Sequence, residues 1–447
     1  MTKNLTVGNP AFLIFSFAVP LLVGNLFQQF YNMADAFIVG RTLGMDALAS
    51  VGCTGSINFL ILGFMMGFTQ GASIVTSQRF GASDASGVRR SFAVSAVLGV
   101  AVTLGLMGIS VMSARPLLIF LRTDPKILDA AYSYIIVIYW GIPATLLFNL
   151  CSNMMRAVGD SFTPLVFLII ACVINIILDY AFIRGFHTGV EGAAYATIIA
   201  QVISGLLCIP VIIKKLPILR ITKEDWKLNP KEIWEHFRVA MPMGFQMSII
   251  AIGIVSVTFA LNGLGIVAVA AFTAAQKIDM VAGMPLGSFG AAMTTFTAQN
   301  YGARKIGRIR KGVIQCCLMS CSFGIFMGVL FFFAGDRFAA VFLKEEAEAI
   351  GLAHTYLKVI GCFYVLLACL FIFRQTLQGL GDSLVPTIAG VMELAMRTFA
   401  SIILSDRFGF IGLCFASPLA FLGACIPLTI AITLTLKKLL RKAIGKR

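Results

Sequence analysis

Apolar residues in this chain come in long runs rather than in alternation, and short polar stretches separate the runs at intervals that suit a bilayer crossing. Hydropathy and helix punctuation predict twelve spans, at about 11–39, 45–76, 90–112, 126–155, 163–184, 190–213, 234–261, 267–298, 312–334, 347–373, 384–405 and 410–436. Each is rich in Gly, Ala and Ser, which let neighbouring helices approach closely. Closed barrels need short alternating strands, and the pattern has none. The expected fold class is an all-α polytopic membrane protein. The first span is too long for a signal-peptide core and lacks a convincing small-residue cleavage site, so it should be retained.

The runs also repeat. Gly159-Asp-Ser-Phe-Thr-Pro164 returns as Gly381-Asp-Ser-Leu-Val-Pro386, and Ala18-Val-Pro20 as Ala240-Met-Pro242, both displaced by 222 residues. Gln78-Arg-Phe-Gly-Ala82 returns as Gln299-Asn-Tyr-Gly-Ala303, displaced by 221. Three motifs in one order at one spacing imply two six-span halves. Six is even, so both halves enter from the same side and the repeat is parallel, about an axis along the membrane normal. The domains expected are an N-terminal six-helix bundle, 1–213, a linker, 214–233, and a C-terminal six-helix bundle with a basic tail, 234–447. Trp226 and Trp234 suit the membrane interface beside the linker.

Composition agrees: 59% of residues are hydrophobic, only 12% are charged, and the mean hydropathy is +0.92. A net charge of +15 would suggest a nucleic-acid partner, but the bases lie at span ends. One set of ends carries 24 Lys and Arg and the other 8, a bias that places both termini in the cytoplasm and excludes the nucleic-acid reading. Eleven cysteines, Cys172, Cys208 and the Cys316–Cys317 pair among them, show no metal-ligand spacing and read as small packing residues. With no phosphate loop, no His-based metal site and no nucleophile–base pair, neither an enzyme nor a nucleotide-driven pump is expected. No cofactor is called for, and the energy must come from an ion gradient.

Candidate chemistry lies in the few polar groups inside spans. Asp35 shares a helical face with Tyr31 and Gln28, one and two turns earlier, and Pro20 marks a place where that helix can bend. Asp179 stands one turn after Asn175 in the fifth span, the sixth supplies Thr197, and the fourth supplies Asn149 and Asn153. Two acids near one another in low dielectric cannot both stay ionised cheaply, so the set suits a proton carrier. The same oxygens would also suit a hard cation such as sodium, with no other metal implied. The second half is no copy, because Val257 stands where Asp35 would recur. It carries Glu393 and Arg397 instead, spaced for an intrahelical ion pair, and Gln276, Lys277 and Asp279. Lys277 and Asp279 are two residues apart and must each find another partner. Arg156 and Arg374 are expected to fix the loops and lipid headgroups at the cytoplasmic ends.

With these motifs in view, the whole chain resembles the MATE family of multidrug and toxic-compound extrusion transporters. The resemblance rests on the Pro20…Gln28-Gln-Phe-Tyr31-Asn32-Met-Ala-Asp35…Gly40-Arg41 helix, the paired Gln-x-x-Gly-Ala loops and the paired Gly-Asp-Ser-x-x-Pro loops. The acids in the N-terminal half point to the bacterial DinF-like and MepA-like branch. That resemblance implies the MATE flippase fold and export of amphipathic, often cationic drugs by antiport with H+ or Na+, through alternating access between two bundles. Coupling-ion roles fall on Asp35, Asn175, Asp179 and Thr197, and Pro20 is the bend. Substrate-cavity roles fall on Gln28, Tyr31, Asn32, Asn149 and Asn153, while Glu393 and Arg397 match a Glu-x-x-x-Arg of the same branch. A monomer in the bacterial inner membrane, in contact with lipid, is implied. The rival reading is a lipid-linked oligosaccharide flippase of the same superfamily, which should show a basic cavity for pyrophosphate.

Overall fold

The computed structural model describes residues 3–121, 123–343 and 346–444. Four of the bases counted for orientation, Arg122, Lys344, Lys446 and Arg447, lie outside the described residues. Among those residues the secondary structure is helical throughout. Eight long helices each pass the length and hydropathy needed for a crossing: α1 (Pro10–Leu43), α2 (Met45–Gly81), α3 (Ala85–Phe120), α7 (Glu191–Lys215), α8 (Pro230–Asn262), α9 (Ile266–Gly302), α10 (Ile306–Leu343) and α15 (Ala416–Ile444). Two more crossings contain a π-helical turn. In one, α6 (Phe162–Tyr180) runs on through Ala181–Gly185; in the other, α13 (Leu384–Phe399) continues through Ala400–Leu404 into α14 (Ser405–Cys414).

The remaining two expected spans are each broken. Helices α4 (Pro125–Trp140) and α5 (Ile142–Ala157) meet at 47°, and α11 (Ala347–Cys362) and α12 (Tyr364–Gly379) at 51°. The single helices expected over 126–155 and 347–373 are therefore corrected to bent pairs. At the first break the cause is local: Gly141 disfavours the helix, and Pro143 lacks the N–H that would bridge the junction. Counted as single crossings, the pairs bring the total among the described residues to twelve.

The chain folds into two compact units that do not follow one simple cut in the sequence. Unit 1 comprises Met1–Asn4 and Val23–Ser248, and unit 2 comprises Leu5–Leu22 and Ile249–Arg447. Helix α1 changes unit at Leu22–Val23, two residues past Pro20, yet stays helical throughout. Unit 1 is cored by Met65, Phe68, Ile135 and Tyr139, and unit 2 by Phe17, Phe296, Phe331 and Tyr364.

Close packing explains why the first part of α8 belongs to unit 1. A Cβ on Gly67 of α2 would lie 2.3 Å from the backbone carbonyl oxygen of Met243, a clash no rotamer change relieves. Gly67→Ala should therefore force α2 and α8 apart and cost roughly 1–3 kcal/mol. The expected result is a lower unfolding temperature in detergent, and an unchanged one would show that the contact is looser than described.

The repeated loops are built alike. Gly159 and Gly381 both have positive φ, 89° and 86°, which a side chain would strain. Asp160 then accepts hydrogen bonds from the backbone N–H of Phe162 and Thr163 at the start of α6 (3.1 and 3.0 Å), and Asp382 accepts one from Val385 at the start of α13 (3.3 Å). The linker between α7 and α8 is tied down rather than loose. Asp225 is buried, and burial alone would raise its pKa, yet the net direction is downward. The hydroxyl and backbone N–H of Thr222 donate to its carboxylate (2.6 and 2.8 Å), and Arg89 of α3 pairs with it at 3.2 Å. A depressed carboxylate stabilises above its unfolded pKa and loses that contribution as pH falls through the folded one. Amide exchange in 217–226 should thus stay slow through mild acid and quicken only below the ordinary carboxylate range. Asp225→Asn should make it fast at neutral pH.

Candidate cation-coupling site

In unit 1 the face of α1 predicted to be polar meets α6 and α7. The Tyr31 hydroxyl donates to Thr197 Oγ1 at 2.9 Å, and Asn175 Nδ2 reaches the same oxygen at 3.4 Å. Asn175 and Asp179, one turn apart on α6, are both fully buried, whereas Asp35 is half-buried. The carboxyl groups of Asp35 and Asp179 face each other within hydrogen-bonding reach. Four buried acceptors here receive no N–H or O–H donor from any described residue: Asp35 Oδ1, Asn175 Oδ1 and both oxygens of Asp179. Buried oxygens left this way cost free energy until a donor or a cation meets them. Two facing carboxyl groups hydrogen-bond only with a proton between them, and otherwise they call for a cation. That is the chemistry the cluster offers.

Of the residues expected at this site, the structure joins Asp35, Tyr31, Asn175, Asp179 and Thr197. It does not draw in the others. Gln28 is half-buried and Asn32 exposed, and neither enters the hydrogen-bond network. Asn149 bonds back to the Thr145 carbonyl of its own helix at 2.9 Å. Asn153 donates to Thr69 of α2 at 3.1 Å and receives a long bond from Arg156. Two neighbours escaped the sequence reading. Tyr134 of α4 is buried and close enough to both acids to feel their charge. Gln201 lies one turn after Thr197 and accepts from Thr145 of α5 at 2.7 Å. The repeat held a signal for Tyr134, because Tyr356 stands 222 residues on and also borders an acid inside a span, Asp279.

Unit 2 balances its own charges. Glu393 accepts from Arg397 at 2.8 Å on its own helix and from Arg374 of α12 through its second oxygen at 2.5 Å. Arg374 is only 5% exposed, which corrects the expectation that it holds a loop and lipid headgroups. Asp279 accepts from the hydroxyls of Tyr364 (2.5 Å) and Tyr356 (3.4 Å), with Arg397 nearby. Gln276 and Lys277 are exposed. Unit 2 therefore sets the buried Arg374 and half-buried Arg397 against the buried Glu393 and half-buried Asp279, and each acid already has donors. The acid pair of unit 1 has no such partner among the described residues.

Among the described residues, ten to twelve apolar crossings, an internal repeat and an acid pair without counter-charge mark a polytopic membrane protein. The MatE family model matches residues 20–181 and again 242–403, two matches displaced by the same 222 residues as the loop motifs. The chain belongs to this family, the MATE transporters. The probable multidrug resistance protein YpnP of Bacillus subtilis (strain 168) is 28% identical over 386 residues, 85% of either chain. The multidrug export protein MepA of Staphylococcus aureus (strain NCTC 8325 / PS 47) is 24% identical over 405 residues, covering 89% of this chain and 87% of MepA. Among solved structures, a MATE protein in complex with MaL6 superposes with a TM-score of 0.90 at 23% identity, over 99% of this chain and 100% of that one. An outward-facing multidrug resistance MATE transporter of the MOP superfamily gives the same TM-score at 22% identity, over 98% and 99%. The fold is thus shared at full length.

Proposed function

We propose that this chain exports amphipathic, cationic organic compounds by antiport, with a proton or a sodium ion bound at the Asp35–Asp179 pair as the coupling ion. The observation carrying this reading is the set of four buried acceptor oxygens that receive no donor, and pair with no base, among the described residues. Arrival of the ion neutralises the pair, and Tyr31 and Thr197 tie that event to the rest of α1. Pro20 lets the helix bend in response, and Gln28, Tyr31, Asn32, Asn149 and Asn153 form the face that releases the organic compound. Negative charge without the ion favours a cationic passenger, so ion and compound occupy unit 1 in turn. The multidrug resistance and multidrug export named for YpnP and MepA support a drug-like passenger, and the acids favour a cationic one. A lipid-linked sugar carrier would need bases where this cluster has acids. The basic loop ends support both termini in the cytoplasm of a bacterial cell, and the chain is read as a monomer working within the bilayer.

Proteoliposomes given a proton gradient and a sodium gradient separately test the proposal. Movement of a fluorescent organic cation driven by one of them is expected. Movement that ignores both would remove the acid pair from energy coupling.

A further inference from the structure

Five of the eleven cysteines gather in unit 2 where α10, α12 and α15 meet: Cys316, Cys317, Cys321, Cys369 and Cys425. Cys317 and Cys321 are one turn apart on α10, and both thiols reach toward Cys369 on α12. The Cys321 and Cys369 sulfurs are 3.8 Å apart, and none of the three is in a disulfide. A disulfide needs about 2.0 Å, so the sulfurs must close by about 1.8 Å, within reach of a side-chain rotation. All three are partly exposed, and Leu318 and Ile325 of α10 open the same region to lipid.

Helix α10 also lies across the 51° break. Its Gly324 packs on the Tyr364 backbone and its Gly328 on Gly361, one on each side of Phe363. A covalent bond from α10 to Cys369 would therefore fix the α12 arm of the bend against a helix that already touches the α11 arm.

We propose that Cys321 and Cys369 form a disulfide when a lipid-permeable two-electron oxidant of the azo or quinone class enters the bilayer, and that this bond restrains α12 and slows transport. Each S–H loses its proton, the two sulfurs give up two electrons between them, and the S–S bond forms. The azo or quinone group takes both electrons and both protons, leaving as a hydrazine or a hydroquinone. Cys317 can exchange with the new bond and move it within the trio, and an external dithiol supplies the two electrons that reverse the link. The transport arm rests on the export reading above, and the bond itself does not.

The test uses the full-length protein in proteoliposomes treated with diamide, an azodicarboxamide. Peptide mapping should find the segment containing Cys321 joined to the one containing Cys369, with the protein lighter by two hydrogens. Amide exchange in 364–379 should slow, and export should fall several-fold and recover with dithiothreitol. Cys369→Ser should show none of these changes, and the Cys317→Ser, Cys321→Ser double variant serves if the first fails to fold. No joined peptide, or a joined peptide with unchanged exchange in α12, would overturn the proposal. If the untreated protein moves no compound, the export reading fails while mapping and exchange still decide the bond.

Discussion

Asp35→Asn is expected to abolish the resistance that this chain confers on a pump-deficient host, while the protein still reaches the membrane in normal amount. The substitution keeps size and shape but supplies a permanent N–H donor facing Asp179, whose two oxygens otherwise lack one. It therefore mimics the ion-bound state and removes the charge change that couples ion to passenger. Stability should not fall, because satisfying a buried acceptor offsets the lost carboxylate. Retained resistance would take Asp35 out of the mechanism, and loss of the protein from the membrane would give it a structural role instead. Asp179→Asn should behave in the same way from the other side of the pair.

The second large effect belongs to unit 2 and to stability. Glu393 holds the buried Arg374 and the half-buried Arg397 through its two oxygens. Glu393→Ala leaves Arg374 without its anion and Arg397 with only the nearby Asp279, and breaking a buried pair in this way costs about 3–5 kcal/mol. Poor recovery from the membrane and a much lower unfolding temperature are the expected outcome. Replacing Arg374 by Met in the same chain should restore part of the loss, because one stranded charge goes with it. Equal stability of Glu393→Ala and the unchanged protein would mean that solvent, not Glu393, screens these arginines.

Much of this molecule could be read from its residues. Twelve apolar runs survive as ten spans and two bent pairs, because hydropathy reports burial in lipid whether or not a helix is straight. The break at Gly141 left a trace in Gly141-Ile-Pro143, which the long apolar run masked; the break at Phe363 has no proline and left none. Helical spacing set Asn175 with Asp179 and Tyr31 with Asp35, since both pairs lie within one element. Contacts between elements were harder to see. Arg374 reaches Glu393 from another helix, and Tyr134 comes to the acids on the far arm of a broken span, so no local period announced either. The change of unit along α1 and α8 was hidden for a related reason: both helices run without interruption through the point where their neighbours change.

The most direct measurement counts the ions displaced when an organic cation binds purified protein. A weakly buffered indicator solution reads protons, and radiolabelled sodium reads the other candidate. Release of either ion in proportion to the compound bound, absent in Asp35→Asn and in Asp179→Asn, is the expected result. Binding that displaces neither ion, or equal release from the variants, would contradict a coupling site built on these two acids.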